Sequence, residues 1–223
     1  MKIDVTHVND AIKMIVDTKG NIIFLDANIF IPPDRTSLGA RHSIEFDLYR
    51  DAILDPMFNA WTNLAIHEAV YNELVEGQVR KFADDMKMEK PPRLVIHSND
   101  NLSLNEKAIY NAHVDKLAQF SNYYPDLDNA DDRGEIQSLA YMAVRGYIYF
   151  SANDHLPIRL ITRAEELETG LETMSVIQMY EIIYILHRYK LSDDEKLRII
   201  YRYMYYATKK DKKINPGWND FFR

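Results

Sequence analysis

The stretch Ile22-Ile23-Phe24-Leu25-Asp26-Ala27-Asn28 decides the fold class of this chain. Its first four residues are apolar at every position, which is typical of a strand buried on both faces of a parallel sheet. The apolar run ends abruptly at Asp26. Because sites in parallel α/β sheets form outside the carboxyl ends of the strands, Asp26 is the first candidate functional residue.

Strands alternate with helices along the rest of the sequence. Further strands are predicted at residues 61–66 and 147–151, and shorter ones at 91–97, which could also be an extended connector, and at 174–179. Helices are predicted from apolar periodicity and turn signals at residues 5–18, 43–54, 67–77, 103–121, 135–144, 156–171, 180–189 and 193–208. This alternation predicts an α/β fold with a mainly parallel sheet.

The composition excludes several classes of protein. A chain of 223 residues with 47% hydrophobic residues suits one domain, or one domain with a helical extension. Cysteine is absent, which excludes disulfide scaffolds, thiolate nucleophiles and cysteine zinc sites. Only 7 glycines are present and no glycine-rich nucleotide-binding motif is found. The net charge of −7 argues against binding nucleic acid by bulk positive charge, but it is compatible with a carboxylate metal site.

The N-terminal sequence MKIDVTHVNDAIKMIV carries polar and charged residues throughout, so no secretory signal is expected. The longest apolar stretches, at residues 22–25 and 180–186, are too short to cross a bilayer. Together with the absence of cysteine, these features predict a soluble cytoplasmic protein that does not engage a membrane.

Four acidic residues are predicted to meet at the carboxyl edge of the sheet. Asp26 and Asp154 each follow a predicted strand. Glu73 lies one to two turns into the helix after the second strand, and Glu135 begins the helix that leads into the strand before Asp154. Clustered carboxylates repel one another and raise one another's pKa, a penalty that a hard divalent cation removes. The sequence therefore predicts a site for Mg²⁺ or Mn²⁺.

The segments around these acids resemble the motifs of the PIN-domain family of metal-dependent nucleases. The matching segments are IFLDANIF at 23–30, AIH and NELVEG within 65–77, GEIQSLA at 134–140 and FSAND at 150–154. The resemblance covers roughly residues 20–180. It implies a three-layer α/β/α nuclease domain, which is assigned to residues 1–180. The helical extension and basic tail predicted over residues 181–223 have no counterpart in the resemblance.

The resemblance also implies roles for single residues. It implies that the catalytic metal ligands are Asp26, Glu73, Glu135 and Asp154. It further implies that Asn28 supports Asp26 through a hydrogen bond and that Ser151 stands where the family has a threonine or serine near the site. The cofactor that it implies is Mg²⁺ or Mn²⁺.

Two of the four positions have competitors nearby in the sequence. Asn153 could take the fourth position in place of Asp154, which would remove one charge and weaken metal binding. Asp131 and Asp132 compete with Glu135 for the third position. Both alternatives remain open from the sequence.

Each candidate acid also has a purely structural explanation. Asp26 could be a turn or N-cap residue, Glu73 a solvated helix residue, and Glu135 a favourable acid in a first helical turn. His67, which follows the second strand, is expected to be a hydrogen-bonded structural histidine. Glu68 is the reserve candidate in case Glu73 faces away from the site.

The C-terminal region carries two conspicuous sets of residues. The tyrosine-rich segment at 201–206 could stack on bases, but packing between C-terminal helices is the favoured interpretation. The lysines of segment 209–213 are interpreted as a solvated tail, with contact to a phosphate backbone as the minor alternative.

Two functions are compatible with this pattern. The first is a Mg²⁺/Mn²⁺-dependent endoribonuclease, for example a toxin or a host-defence nuclease, whose expected partners are RNA or single-stranded DNA, an antitoxin protein and a second copy in a homodimer. The second is a catalytically degenerate module that binds nucleic acid or protein on the same scaffold. A phosphatase with a related acidic crevice is a further alternative, because carboxylate–metal sites serve many phosphoryl chemistries.

Overall fold

The computed structural model describes residues 2–3, 9–17, 20–38, 42–75 and 77–222. Within them, one sheet has the strand order β3-β2-β1-β4-β5, and every pairing is parallel. The strands are β1 (Ile23–Leu25), β2 (Leu64–His67), β3 (Leu94–His97), β4 (Tyr149–Ser151) and β5 (Ser175–Ile177). The predicted α/β class with a parallel central sheet is confirmed, and the architecture is consistent with a three-layer α/β/α fold.

The described helices separate and follow these strands. They are α1 (Asp10–Asp17), α2 (Ala27–Phe30), α3 (Phe46–Tyr49), α4 (Asp55–Ala60), α5 (Glu68–Glu73), α6 (Gln78–Met88), α7 (Leu104–Ala118), α8 (Arg133–Arg145), α9 (His155–Thr162), α10 (Ala164–Leu167), α11 (Met179–Arg188), α12 (Asp194–Tyr205), α13 (Asp211–Ile214) and α14 (Trp218–Phe221). A π-helical turn joins α3 to α4. No helix in the described ranges has the length and apolar character that a bilayer crossing requires.

Several helix predictions differ from the structure. The predicted helix at 156–171 is split into α9 and α10 and ends at Glu168, which has a left-handed backbone. Helix α6 was not predicted, because it is highly charged and buries only Phe82 and Ala83. Residues 5–8 and 18 of the first predicted helix, and Glu76 of the third, lie outside the described residues.

The chain separates into two compact units. One unit comprises residues 20–29 and 63–177 and contains the whole sheet. The other comprises residues 1–19, 30–62 and 178–223, and its described elements are helical. The predicted division into a nuclease domain (1–180) and a C-terminal extension (181–223) stays a prediction.

The core of the sheet unit positions the acidic residues. All three residues of β1 are buried, and Phe24 is completely so. Helix α8 buries Ile136, Leu139 and Ala140 in the same cluster as Phe24 and Phe150. This apolar packing anchors the first turn of α8, which carries Glu135, to the sheet.

An ion pair between Arg35 and Asp211 organises the C-terminal part of the helical unit. The atoms Nη2 and Oδ2 lie 3.1 Å apart, and the two side chains are only 14% and 6% exposed. Arg35 also donates to the carbonyl oxygens of Tyr203 and Met204 at the end of α12. Asp211 accepts hydrogen bonds from the amide and hydroxyl of Thr208. The lysines of 209–213 are therefore exposed, as predicted, but they sit on a fixed turn and not on a loose tail.

Replacement of Asp211 by asparagine should destabilise the protein. The guanidinium of Arg35, whose side chain is 14% exposed, would lose its charged partner, which costs about 2–3 kcal/mol of unfolding free energy. Urea denaturation of Asp211→Asn would measure this loss. Asp126→Asn, at an exposed acid, is the control. Equal stability of both variants and the parent would contradict the structural role of the pair.

Candidate metal centre

Three of the four predicted acids meet at one point. One carboxylate oxygen from each of Asp26, Glu135 and Asp154 lies within 4.8 Å of the other two. The strand register explains why Asp26 and Asp154 meet. Leu25 of β1 pairs with Ser151 of β4, and the two parallel strands end at the same edge of the sheet. The predicted convergence at the carboxyl edge is thus present for these three residues.

Asp26 is the buried member of this group. Its side chain is 1% exposed, and its backbone N–H donates to the carbonyl oxygen of Ser151 at 3.0 Å, one residue beyond the end of β1. Oδ2 accepts a hydrogen bond from Asn28, whereas buried Oδ1 has no hydrogen-bond partner. A buried carboxylate oxygen without a partner is costly. This atom is therefore suited to hold a cation.

Asn28 ties two of the carboxylates together. Its Nδ2 donates to Asp26 Oδ2 and to Asp154 Oδ2, the latter at 2.9 Å. Its Oδ1 accepts the backbone N–H of Asn153 at 2.9 Å. The hydrogen bond to Asp26 implied by the PIN-domain resemblance is present, and the same amide also fixes the loop after β4.

The carboxylate of Asp154 joins the group, and the neighbouring Asn153 donates its backbone N–H to Asn28. Asp154 is the N-cap residue of α9, yet its side chain makes no capping hydrogen bond. It accepts from Asn28 instead. Ser151 is buried, and its hydroxyl donates to the carbonyl oxygen of Ile177 at 3.2 Å. Ser151 therefore supports the site through its backbone carbonyl, which holds Asp26.

Glu135 takes the third position. Its competitor Asp132 accepts hydrogen bonds from the amide and side chain of Asn122, at 2.8 and 3.2 Å. The other competitor, Asp131, is exposed. Glu135, in the first turn of α8, is half-buried and faces the other two carboxylates.

Glu73, the fourth predicted ligand, is not part of this close group. Its Oε1 accepts the backbone N–H of Gly134 at 2.9 Å. Burial raises the pKa of Glu73, while the bond from Gly134 and the charge of Arg133 oppose that rise. A Cβ atom on residue 134 would lie 2.6 Å from Oε1, so glycine is needed for this approach. The sequence had shown Gly134 before Glu135 but had given it no role.

Glu68 and His67 support the fold beside the site. Glu68 Oε1 accepts the backbone N–H of Asn99 at 2.8 Å, and Glu68 is not in the close group. His67 is buried, and its Nδ1 accepts the N–H of Ala69 at 3.2 Å. Burial lowers the pKa of His67 to about 4, so the ring is neutral at physiological pH. The expected structural role of His67 agrees with these contacts.

The electrostatics of the group favour either protons or a cation. Burial, followed by the charges of Glu135 and Asp154, raises the pKa of Asp26 well above its ordinary value, and the backbone N–H of Ala27 opposes this rise only in part. Burial is also the main cause that raises the pKa of Glu135 to about 7, with help from Glu73. In the described part of the chain, no ion pair neutralises Asp26, Glu135 or Asp154.

The donor set fits a hard divalent cation. All three ligand atoms are carboxylate oxygens, which are the donors that Mg²⁺ and Mn²⁺ prefer. The unpartnered Oδ1 of Asp26 gives independent support, since hydrogen bonds within the site leave it unsatisfied. A carboxylate group of this kind could hold a metal ion, and Mg²⁺ or Mn²⁺ as the cofactor stays a prediction.

Replacement of Glu135 by glutamine should change how stability depends on pH. The pKa of Glu135 is 4.5 ordinarily and about 7 in the folded chain. Between these values the folded chain binds a proton that the unfolded chain lacks, so the parent loses stability as pH rises from 4.5 through 7. Melting curves in EDTA should show Glu135→Gln close to the parent at pH 4.5 and more stable at pH 8. Asp131→Asn is the control, and parallel pH profiles for Glu135→Gln and the parent would refute this cause.

Comparison of the chain with protein-family models, with curated proteins and with solved structures finds no match. The PIN-domain resemblance therefore stays an expectation from the four sequence motifs. The geometry and charge of the carboxylate group are the features that bear on function.

Proposed function

We propose that this protein is a divalent-metal-dependent nuclease that hydrolyses phosphodiester bonds, with RNA as its substrate. The observation that supports this proposal is the group of Asp26, Glu135 and Asp154 at the carboxyl edge of a parallel sheet, with the buried Oδ1 of Asp26 unpartnered. Such an edge is where α/β proteins place their sites. The choice of RNA rests on the PIN-domain resemblance.

The three carboxylates of the group would hold the cation. When bound, the cation supplies a lowered pKa for a water molecule and a positive charge that offsets the charge developing on the phosphate. Asn28 keeps Asp26 and Asp154 oriented, because its amide donates to both. This pre-organisation lowers the cost of assembling the site at the moment of reaction.

We assign to Glu73 the role of orienting and deprotonating the attacking water. It is half-buried beside the group, and burial raises its pKa, which makes it a better base than an ordinary carboxylate. Glu73 accepts the proton, the water oxygen bonds to phosphorus, and the bond from phosphorus to the 3′ oxygen breaks. The 3′ oxygen then takes up a proton. The products are a 3′-hydroxyl and a 5′-phosphate, as the resemblance implies.

The remaining partner expectations stay predictions. Single-stranded DNA is the second substrate to test, because the proposed chemistry does not use a 2′-hydroxyl. An antitoxin protein and a homodimer were expected only from the resemblance.

Replacement of Asp26 by asparagine should abolish cleavage. The change removes one charge and one cation ligand from the centre of the group while preserving side-chain size. Labelled RNA and single-stranded DNA would be incubated with Mn²⁺, with Mg²⁺ and with EDTA. The rate of metal-dependent cleavage should fall about 100-fold or more, since loss of outer partners alone costs 10- to 100-fold at metal sites.

Asp131→Asn, which removes the same charge from an exposed position, should cleave at the parental rate. Undiminished cleavage by Asp26→Asn would exclude this carboxylate group as the active site. A folded parent that cleaves neither substrate, and whose melting temperature does not respond to millimolar Mn²⁺ or Mg²⁺, would instead be a degenerate binding module.

Replacement of Gly134 by alanine should slow cleavage without unfolding the protein. The new Cβ would displace the Glu73 carboxylate, which is the mobile end of a long side chain, so the fold can adapt. We expect a rate loss of about 10- to 100-fold at a nearly unchanged melting temperature.

Gly20→Ala is the matched control, because a Cβ there meets nothing within 4 Å. If Gly134 acts through Glu73, the double variant with Glu73→Gln should be no slower than Glu73→Gln alone. Additive losses would show that Gly134 acts by another route.

A further inference from the structure

A second charged feature lies in the helical unit, in residues 198–213. This basic segment contains six cationic residues and one acid, in a chain whose net charge is −7. The cations are Arg198, Arg202, Lys209, Lys210, Lys212 and Lys213. All six are exposed, and in the described ranges none of them takes part in an ion pair.

The one acid of the basic segment does not neutralise these cations. Asp211 is buried and paired with Arg35. Its carboxylate also accepts two hydrogen bonds from Thr208. The negative charge of Asp211 is therefore neutralised by Arg35 inside the protein. The lysines on both sides of Asp211 are exposed to solvent and keep their positive charge.

The lysines are held in place, which distinguishes them from a flexible charged tail. Helix α13 is anchored by Asp211 at its start and is followed by the buried Asn215. Asn215 donates to the carbonyl oxygen of Tyr205 and accepts the backbone N–H of Ile3, both at 2.9 Å. Binding by a fixed array loses less conformational entropy than binding by a loose tail.

An aromatic ring belongs to the same segment. Tyr206 is half-buried, and Lys212 Nζ lies 5.6 Å from its ring centroid. By contrast, Tyr201 and Tyr205 are buried, so the predicted packing role holds for those two. A partly exposed ring beside cations is the combination that binds single-stranded nucleic acid through stacking and phosphate contacts.

We propose that the basic segment binds the phosphate backbone of single-stranded nucleic acid. That this nucleic acid is the substrate RNA rests on the proposed function. Binding of the nucleic acid by the basic segment does not depend on cleavage. An acidic protein repels a polyanion at long range, so local unpaired cations are needed to hold one. Four lysines within five residues, with their only acid buried, provide such a site.

The test is the affinity of the full chain for a fluorescein-labelled 20-nucleotide single-stranded RNA, measured by anisotropy in EDTA. The variant changes Lys209, Lys210, Lys212 and Lys213 to glutamine. The control changes four exposed lysines elsewhere, Lys81, Lys87, Lys90 and Lys107, to glutamine. A third variant changes the four segment lysines to arginine and so keeps their charge.

We expect the segment glutamine variant to bind at least about tenfold more weakly at 150 mM salt, and the slope of log affinity against log salt to fall by roughly 0.7 per lost contact. The control and arginine variants should keep parental affinity, and circular dichroism should show equal folding of all proteins. Parental affinity in the segment glutamine variant would overturn the proposal. The proposal would also be overturned if the segment glutamine variant lost binding to phosphatidylserine vesicles while its affinity for RNA stayed unchanged. That result would assign the segment to membrane binding.

Asp26→Asn separates this proposal from the proposed function. In EDTA, that variant should bind RNA as tightly as the parent, because the change leaves every cation of the basic segment in place. If the parent binds RNA through the segment but never cleaves it, the proposed function fails and the basic segment stands. If the parent cleaves RNA and the segment glutamine variant binds RNA with parental affinity, the proposed function stands and the basic-segment proposal fails.

Discussion

The burial of the Asp26 carboxylate beside two other carboxylates is the constraint on which the rest of the site depends. Asp26 directly follows a strand that is buried at every position, so its carboxylate lies at the edge of the core. There its Oδ1 has no hydrogen-bond donor. Burial and the neighbouring charges both oppose ionisation, which raises the pKa of Asp26. A cation offsets both effects at once. The buried carboxylate of Asp26 is therefore unfavourable in the empty site and becomes favourable only when a cation is bound.

The elements around Asp26 hold this unfavourable arrangement in place. Asn28 donates to Asp26 and Asp154 through one amide group. Gly134 leaves room for the Glu73 carboxylate and donates its N–H to it. The buried face of α8 packs into the core and holds the first turn of this helix, which carries Glu135, in place. The carboxylates are thus pre-organised before any ligand arrives.

Much of the sheet and three members of the group could be predicted from the sequence, because their signals are local. The run before Asp26 is apolar at every position, and the helix after Glu135 shows clear periodicity. Other features depend on contacts between distant residues. Gly134 and Glu73 are 61 positions apart, and Arg35 and Asp211 are 176 apart. No local pattern encodes such pairs, so the role of Gly134 and the fixed lysine turn came only from the structure.

We propose that Asp26, Glu135 and Asp154 together hold a divalent cation. Anomalous diffraction from crystals grown with MnCl₂ tests it most directly. One strong peak should lie in contact with carboxylate oxygens of all three residues, and no peak should lie there in Asp26→Asn crystals. A manganese peak elsewhere, or none at this site at saturating MnCl₂, would contradict it.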